Sequence, residues 1–397
     1  MINKLTSQRV LSIDAFRGIT ILVMIFVNEL AGVSGIPAWM KHMKADQDAM
    51  SFVDVVFPAF LFIVGMSIPF ALNYRLSKGD TPFQLFKHIA SRTLGLLVLG
   101  VFMVNAEDGY NEEAMGMSIY LWSLLFYIAI ILVWNVYTFK RKEWSYLLRG
   151  IGIAGLIVLA LIYRGGDGSE PLQPHWWGIL GLIGWAYLFS CIFYMVFRGN
   201  VIALIIMIGV CNAFYMVGQI PEVNQSPWLH WISYEVGNAA HTSITLAGVV
   251  LTLIYFNEGK SKTNSRRFIE ASIFTISLLV VGYFLRPYYK ISKIHATPTW
   301  CLYCSAICCI IYSALYWLID LKGYRRWTFF FRPAGSNPLL TYIIPDIVFA
   351  LEMYFGFSLV SEYFHQGLPG ILWSAFYAVA VMWVVMGLNK LNIKLHL

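Results

Sequence analysis

Charge is what this chain has least of. Only 12% of its 397 residues are Asp, Glu, Lys or Arg, about half the roughly 25% of an ordinary soluble protein. Hydrophobic residues make up 59%. Intrinsic disorder is excluded, because it needs low hydropathy and high charge. A soluble fold is excluded as well, because it could not hide so much apolar surface. Cysteine is scarce too: Cys191, Cys211, Cys301, Cys304, Cys308 and Cys309 all lie inside apolar runs, so neither a disulfide framework nor a metal site is expected. No Walker-type phosphate loop and no Gly-x-Ser-x-Gly elbow occurs. What remains is an all-α, polytopic integral membrane protein, whose solvent is partly lipid.

Long apolar runs are what is there. Windows of about 20 such residues, enough to cross about 30 Å of hydrocarbon, fall near 16–34, 52–73, 85–105, 116–138, 146–163, 176–197, 200–219, 239–256, 267–286, 299–319, 337–357 and 369–389. Twelve spans are therefore expected. The net charge of +7 forms no basic stripe of the kind that binds nucleic acid. Twenty-two of the 28 basic residues sort to one side of this arrangement, and only Lys41, Lys44, Arg164, Arg286, Lys290 and Lys293 to the other. The positive-inside rule then places both termini in the cytoplasm. The first apolar run follows Asp14 and Arg17 with no small-residue cleavage site, so it is read as a true span. The whole chain, 1–397, is expected to be one transmembrane domain.

A few polar residues fall at helix mouths, where charge is expensive unless it pairs or binds something. Asp14 and Arg17, three apart, share a helix face and can pair. The same helix reaches Asn28 and Glu29 about four turns later. His42 follows in the long loop 35–51, and Asp54 opens the next span. Histidine suits acyl or proton transfer near neutral pH, although a single interfacial histidine is more often an anchor or a loop hydrogen-bonder. His241-Thr242-Ser243 opens a later span, and the loop 220–238 carries Trp228, Trp231 and Tyr234. Those aromatics suit either stacking on a sugar or an interfacial belt. Asp346 and Glu352, six apart in one span, suit proton coupling or polar packing. On the cytoplasmic side Arg92 and Arg332 suit a phosphorylated ligand.

SIDAFRG, IFVN, WMKH and FVDVVFPAFLFIVG (Arg9 to Gly65), GLLVLGVFMVN (Gly95 to Asn105), HTSITLAGV (His241 to Val249) and FFFRPAGSNPLLTYI near the C-terminus together resemble the heparan-α-glucosaminide N-acetyltransferase family of transmembrane acyltransferases, in its bacterial members. The resemblance implies an acyl-CoA-dependent acetyltransferase of the bacterial inner membrane. Such an enzyme moves an acetyl group from cytoplasmic acetyl-CoA to an extracytoplasmic amino sugar or glycan, needs no metal, and is compatible with a homodimer. It puts the family's active histidine on His42, its partner asparagine on Asn28 and its loop-terminal aspartate on Asp54. The cofactor-side residues become Asp14, Arg17 and Arg92, and the acceptor-side candidates His241, Ser243 and Trp228. The chain departs from the family pattern in a longer loop between Asn28 and His42, in Tyr120-Leu121-Trp122-Ser123 where a Gln-Arg pair is usual, and in a helical hairpin at 146–197 that has the look of an insertion. The competing expectation is a sugar or anion permease with proton coupling through Asp346 and Glu352.

Overall fold

The structure, a computed structural model, describes residues 10–257 and 263–395; Lys4, Arg9, Lys260 and Lys262, counted above, lie outside the described residues. Among the described residues the chain is helical, apart from four isolated β-bridges. Eleven helices are long and apolar enough to cross a membrane: α1 (Leu11–Ala31), α2 (Val53–Ser77), α3 (Pro82–Glu107), α5 (Lys142–Ile162), α6 (Ile179–Val196), α7 (Val201–Gly218), α8 (Trp231–Phe256), α9 (Asn264–Tyr289), α10 (Pro298–Leu321), α11 (Pro338–Phe355) and α12 (Gly367–Lys390). Of the roughly twelve spans expected, the one at 116–138 is the shortest. That window folds as the 16-residue α4 (Ile119–Trp134), about 24 Å long at 1.5 Å per residue, with Ser118 capping its start and extended backbone at Asn135 ending it.

The 220–238 segment also departs from expectation. Only part of it is loop, because Pro221–Gln225 forms a short helix and α8 already begins at Trp231.

The chain forms two compact units. The first comprises residues 10–20, Pro37–Thr93 and Leu182–Phe329. Its centre is α8, buried throughout Ala240–Phe256 and packed on α2, α7 and α10. Two glycines permit the α2–α8 crossing. A Cβ at Gly65 would stand 1.8 Å from the Thr245 carbonyl oxygen, and one at Gly248 would stand 2.0 Å from that of Phe62. Glycine inside a helix costs about 1 kcal/mol relative to alanine, but between membrane helices it lets backbones approach and dispersion contacts accumulate. The Thr252 hydroxyl then donates to the Met66 carbonyl at 3.0 Å. At the other end of this unit the Ser12 and Tyr312 hydroxyls hydrogen-bond at 3.1 Å.

The second unit comprises Ile21–Ile36, Leu94–Gly181 and Phe330–Leu397. Here α4 packs on α5 and α11, and the buried Trp122 donates its indole N–H to the Leu159 carbonyl. Asn337, fully buried before α11, donates to Asn389 Oδ1 and the Ile393 carbonyl and accepts from the Leu395 amide. One side chain thereby ties the C-terminal segment to the start of α11.

Candidate active site

The first unit brings His42 and Asp54 together. His42 Nδ1 donates to Asp54 Oδ1 at 2.7 Å; the carboxylate, acting as acceptor, selects the Nδ1–H tautomer and leaves the Nε2 lone pair outward. Asp54 is buried while the His42 side chain is 42% exposed, so the carboxylate is screened from water and the imidazole is accessible. The other carboxylate oxygen is held from within the chain, accepting from the Ser51 amide at 2.9 Å, the Ser51 hydroxyl at 3.3 Å and the Met43 amide at 3.3 Å. A buried carboxylate with this many donors has one orientation available.

The position of Asp54 follows from a proline four residues on. In an α-helix its carbonyl would accept from the amide of residue 58, but Pro58 has no N–H. The freed carbonyl accepts instead from the indole N–H of Trp300 on α10 at 3.2 Å, with the Cys304 thiol at 3.9 Å. Trp300 is fully buried, so the first turn of α2 is fixed from both its main chain and its side chain.

A third residue enters from the loop between α9 and α10. Lys293 Nζ donates to His42 Nε2 at 3.0 Å and lies 3.3 Å from Nδ1. The loop is knitted to itself. The Thr297 hydroxyl accepts from the Ser292 amide and donates to the Lys290 carbonyl, each at 3.1 Å. It is also tied to the 41–52 loop. Asp48 takes both the Arg286 guanidinium at 3.0 Å and the Ile291 amide at 2.8 Å, while the Ser292 hydroxyl donates to the Ala45 carbonyl at 3.1 Å. Two non-glycine residues in this loop have positive φ, Lys290 at 51° and Ala296 at 48°. Each costs of order 1–3 kcal/mol and persists only where the surroundings over-determine it. Burial pushes the Lys293 ammonium below the ordinary lysine range, with Asp54 and then Cys304 drawing it part of the way back.

The other expected residues are placed as follows. Asp14 and Arg17 pair at 3.4 Å in α1, and Arg17 also donates to the Ser67 hydroxyl at 2.6 Å. Arg92 stacks on the Tyr187 ring at 4.8 Å, and its buried Nε has no hydrogen-bond partner among the described residues. His241 is buried with its ring 5.4 Å from that of Phe57 and 6.0 Å from Trp300. Ser243, equally buried, donates back to the Ala240 carbonyl. Both therefore stand behind Asp54 and Trp300 in the helix packing rather than on an open face. Trp228 is 86% exposed. Asn28 is exposed and belongs to the second unit, as do Asp346 and Glu352. Glu352 accepts from the Leu359 amide at 2.6 Å, turning the chain after α11.

Lys293 was missed as a site residue. It stood out only as a cation on the side poor in cations, and nothing in sequence spacing joins positions 42 and 293. Two patterns with chemical associations prove to be helical. Gly150, Gly152 and Gly155 have the spacing of a dinucleotide loop but lie inside α5, and Cys301 and Cys304, spaced as Cys-x-x-Cys, are buried free thiols on α10. Among the described residues no three His, Cys, Asp or Glu side chains are grouped to hold a metal.

The profile of the family described as "Domain of unknown function (DUF5009)" matches residues 9–234, more than half of the chain. The chain belongs to the DUF5009 family. This DUF5009 member is also 38% identical over 97 residues to the human protein named heparan-alpha-glucosaminide N-acetyltransferase, and 33% identical over 100 residues to its mouse counterpart. Those stretches cover 24% and 25% of the DUF5009 chain but only 14% of each mammalian protein.

Proposed function

We propose that this protein is a membrane acyltransferase that takes an acetyl group from acetyl-CoA on the cytoplasmic side and delivers it to an amino sugar or glycan on the other side, with His42 handling the proton. The observation that carries this reading is the exposed imidazole oriented by a buried, multiply bonded carboxylate at 2.7 Å. That is the arrangement a general base or acyl-accepting nucleophile needs. The partial similarity to mammalian acetyltransferases supports the same chemistry. Arg17 and Arg92 are the cofactor-side candidates, Arg92 being the stronger because its buried Nε has a donor to spare.

In this reading the acceptor nitrogen or oxygen attacks the thioester carbonyl carbon, and its proton passes to His42 Nε2. The C–S bond then breaks and CoA leaves as a thiolate, which recovers the proton. Asp54 steadies the imidazolium formed on the way. In the two-step variant Nε2 itself attacks and carries the acetyl group. Purified protein given acetyl-CoA and a panel of amino sugars should release free thiol only when an acceptor is present. Movement of sugar across proteoliposomes without thiol release would instead establish a permease.

A further inference from the structure

We propose that Lys293 is the electrophilic member of this site, an ammonium placed beside His42 Nε2 to hold the negative charge that develops on the thioester carbonyl oxygen during acyl transfer. The inference rests on the acyltransferase reading and adds to it a residue and a role. Whether His42 removes a proton from the acceptor or attacks the carbonyl itself, the reacting carbon must lie within a few ångströms of Nε2. Its oxygen therefore becomes an oxyanion in the space that Nζ borders, at 3.0 Å from Nε2. A cation held at such a point by its loop has only to turn from Nε2 to the oxygen when the charge appears, a small reorganisation.

The fixing is built into the loop. Lys290 and Ala296 hold left-handed backbone on either side of Lys293, the Thr297 hydroxyl closes the loop, and Asp48 and Ala45 tie it to the strand of chain that carries His42. Among the described residues no carboxylate takes Lys293 as an ion-pair partner at short range; the Asp54 oxygens are occupied by His42, Ser51 and Met43. An ammonium with no carboxylate of its own keeps its field for the substrate. The titratable groups that face it are His42 from the 41–52 loop, Asp54 from α2, Cys304 from α10 and His241 from α8.

In the balanced step, the acceptor N–H attacks, an N–C bond forms and the carbonyl π pair moves onto oxygen against Nζ. As the acceptor's proton reaches Nε2, the Lys293 hydrogen bond to that nitrogen is released and Nζ turns to the oxyanion; the pair then returns, the C–S bond breaks and the thiolate leaves, taking up the proton from Nε2. Lys293 keeps its own proton throughout, so only its protonated form works. Because burial lowers its hold on that proton, activity should decline on the alkaline side at a pH below the ordinary lysine range of about 10.4.

The test is Lys293→Met beside Lys293→Arg in full-length protein, with acetyl-CoA binding measured in parallel. Lys293→Met should lose about 10²–10³-fold in kcat with KM for acetyl-CoA little changed. Lys293→Arg should keep part of the rate and lose the alkaline decline, since a guanidinium does not deprotonate in this range. Should Lys293→Met fail to fold, Lys293→Cys alkylated with 2-bromoethylamine rebuilds a less basic ammonium; the native cysteines are all buried. That protein should regain activity with the alkaline decline displaced to lower pH. A Lys293→Met protein with kcat within twofold of wild type, or an alkaline limb unmoved in Lys293→Arg, would overturn the assignment and leave the acyltransferase reading intact. A wild-type protein that transfers no acyl group would overturn both.

Discussion

The indole N–H of Trp300 donates to the main-chain carbonyl of Asp54, 246 residues away, because Pro58 cannot. A helix-breaking residue thus becomes a means of attaching α2 to α10 at the turn that carries the candidate catalytic carboxylate. Trp300→Phe keeps the ring and removes the donor. We expect it to lower stability by about 1–3 kcal/mol, the cost of a buried carbonyl left without a partner. Thermal unfolding in detergent measures this, and an unchanged unfolding temperature would show that the carbonyl finds another donor.

Asp54→Asn tests the carboxylate itself. An amide can accept from the Ser51 and Met43 amides but offers His42 neither the charge nor an unambiguous acceptor, so the imidazole tautomer is no longer selected. The expected loss is about 10³–10⁴-fold in kcat, as for other carboxylate-oriented histidines, with the protein still folded and still binding acetyl-CoA. Activity within tenfold of wild type would remove Asp54 from the mechanism.

Asp48 and Arg286 form a half-exposed pair, and such pairs contribute about 0–1 kcal/mol to stability. Their value lies in holding the 41–52 loop against the end of α9, from which the Lys293 loop departs. Arg286→Ala should leave the unfolding temperature nearly unchanged while lowering kcat by up to about 10²-fold through misplacement of Lys293. Equal losses of stability and activity would reduce the pair to a structural role.

Gly248→Ala places a methyl group against the Phe62 carbonyl, where no flexible side chain can give way. We expect at least the 1–3 kcal/mol typical of overpacking, seen as a lower yield of folded, monodisperse protein. Gly209→Ala, with open space around it, is the control and should behave as wild type.

Much of the fold was legible because a membrane helix announces itself by length and apolarity alone. Eleven of the twelve windows became long helices; the twelfth, α4, was overestimated because apolar residues continue past Asn135 where the backbone turns extended. The start of α8 was placed too late, since Trp231, Tyr234 and Glu235 look interfacial in composition yet are already helical. The site was legible in part. His42 and Asp54 lie twelve residues apart on either side of a helix start, close enough for a local reading to pair them. Lys293 and Trp300 reach them only through packing of α10 and the α9–α10 loop, which leaves no periodic trace. His241 shows the converse error: a histidine in a conspicuous polar motif that packing buries behind the site.

In the proposed reaction, acyl transfer passes through His42. The most direct measurement is acceptor-dependent thiol release from acetyl-CoA by purified wild-type and His42→Ala proteins, with CoA binding recorded for both. We expect that His42→Ala folds, binds CoA as wild type does, and releases thiol at the rate of the acceptor-free background. Acceptor-dependent release by His42→Ala at a rate near that of wild type would contradict it.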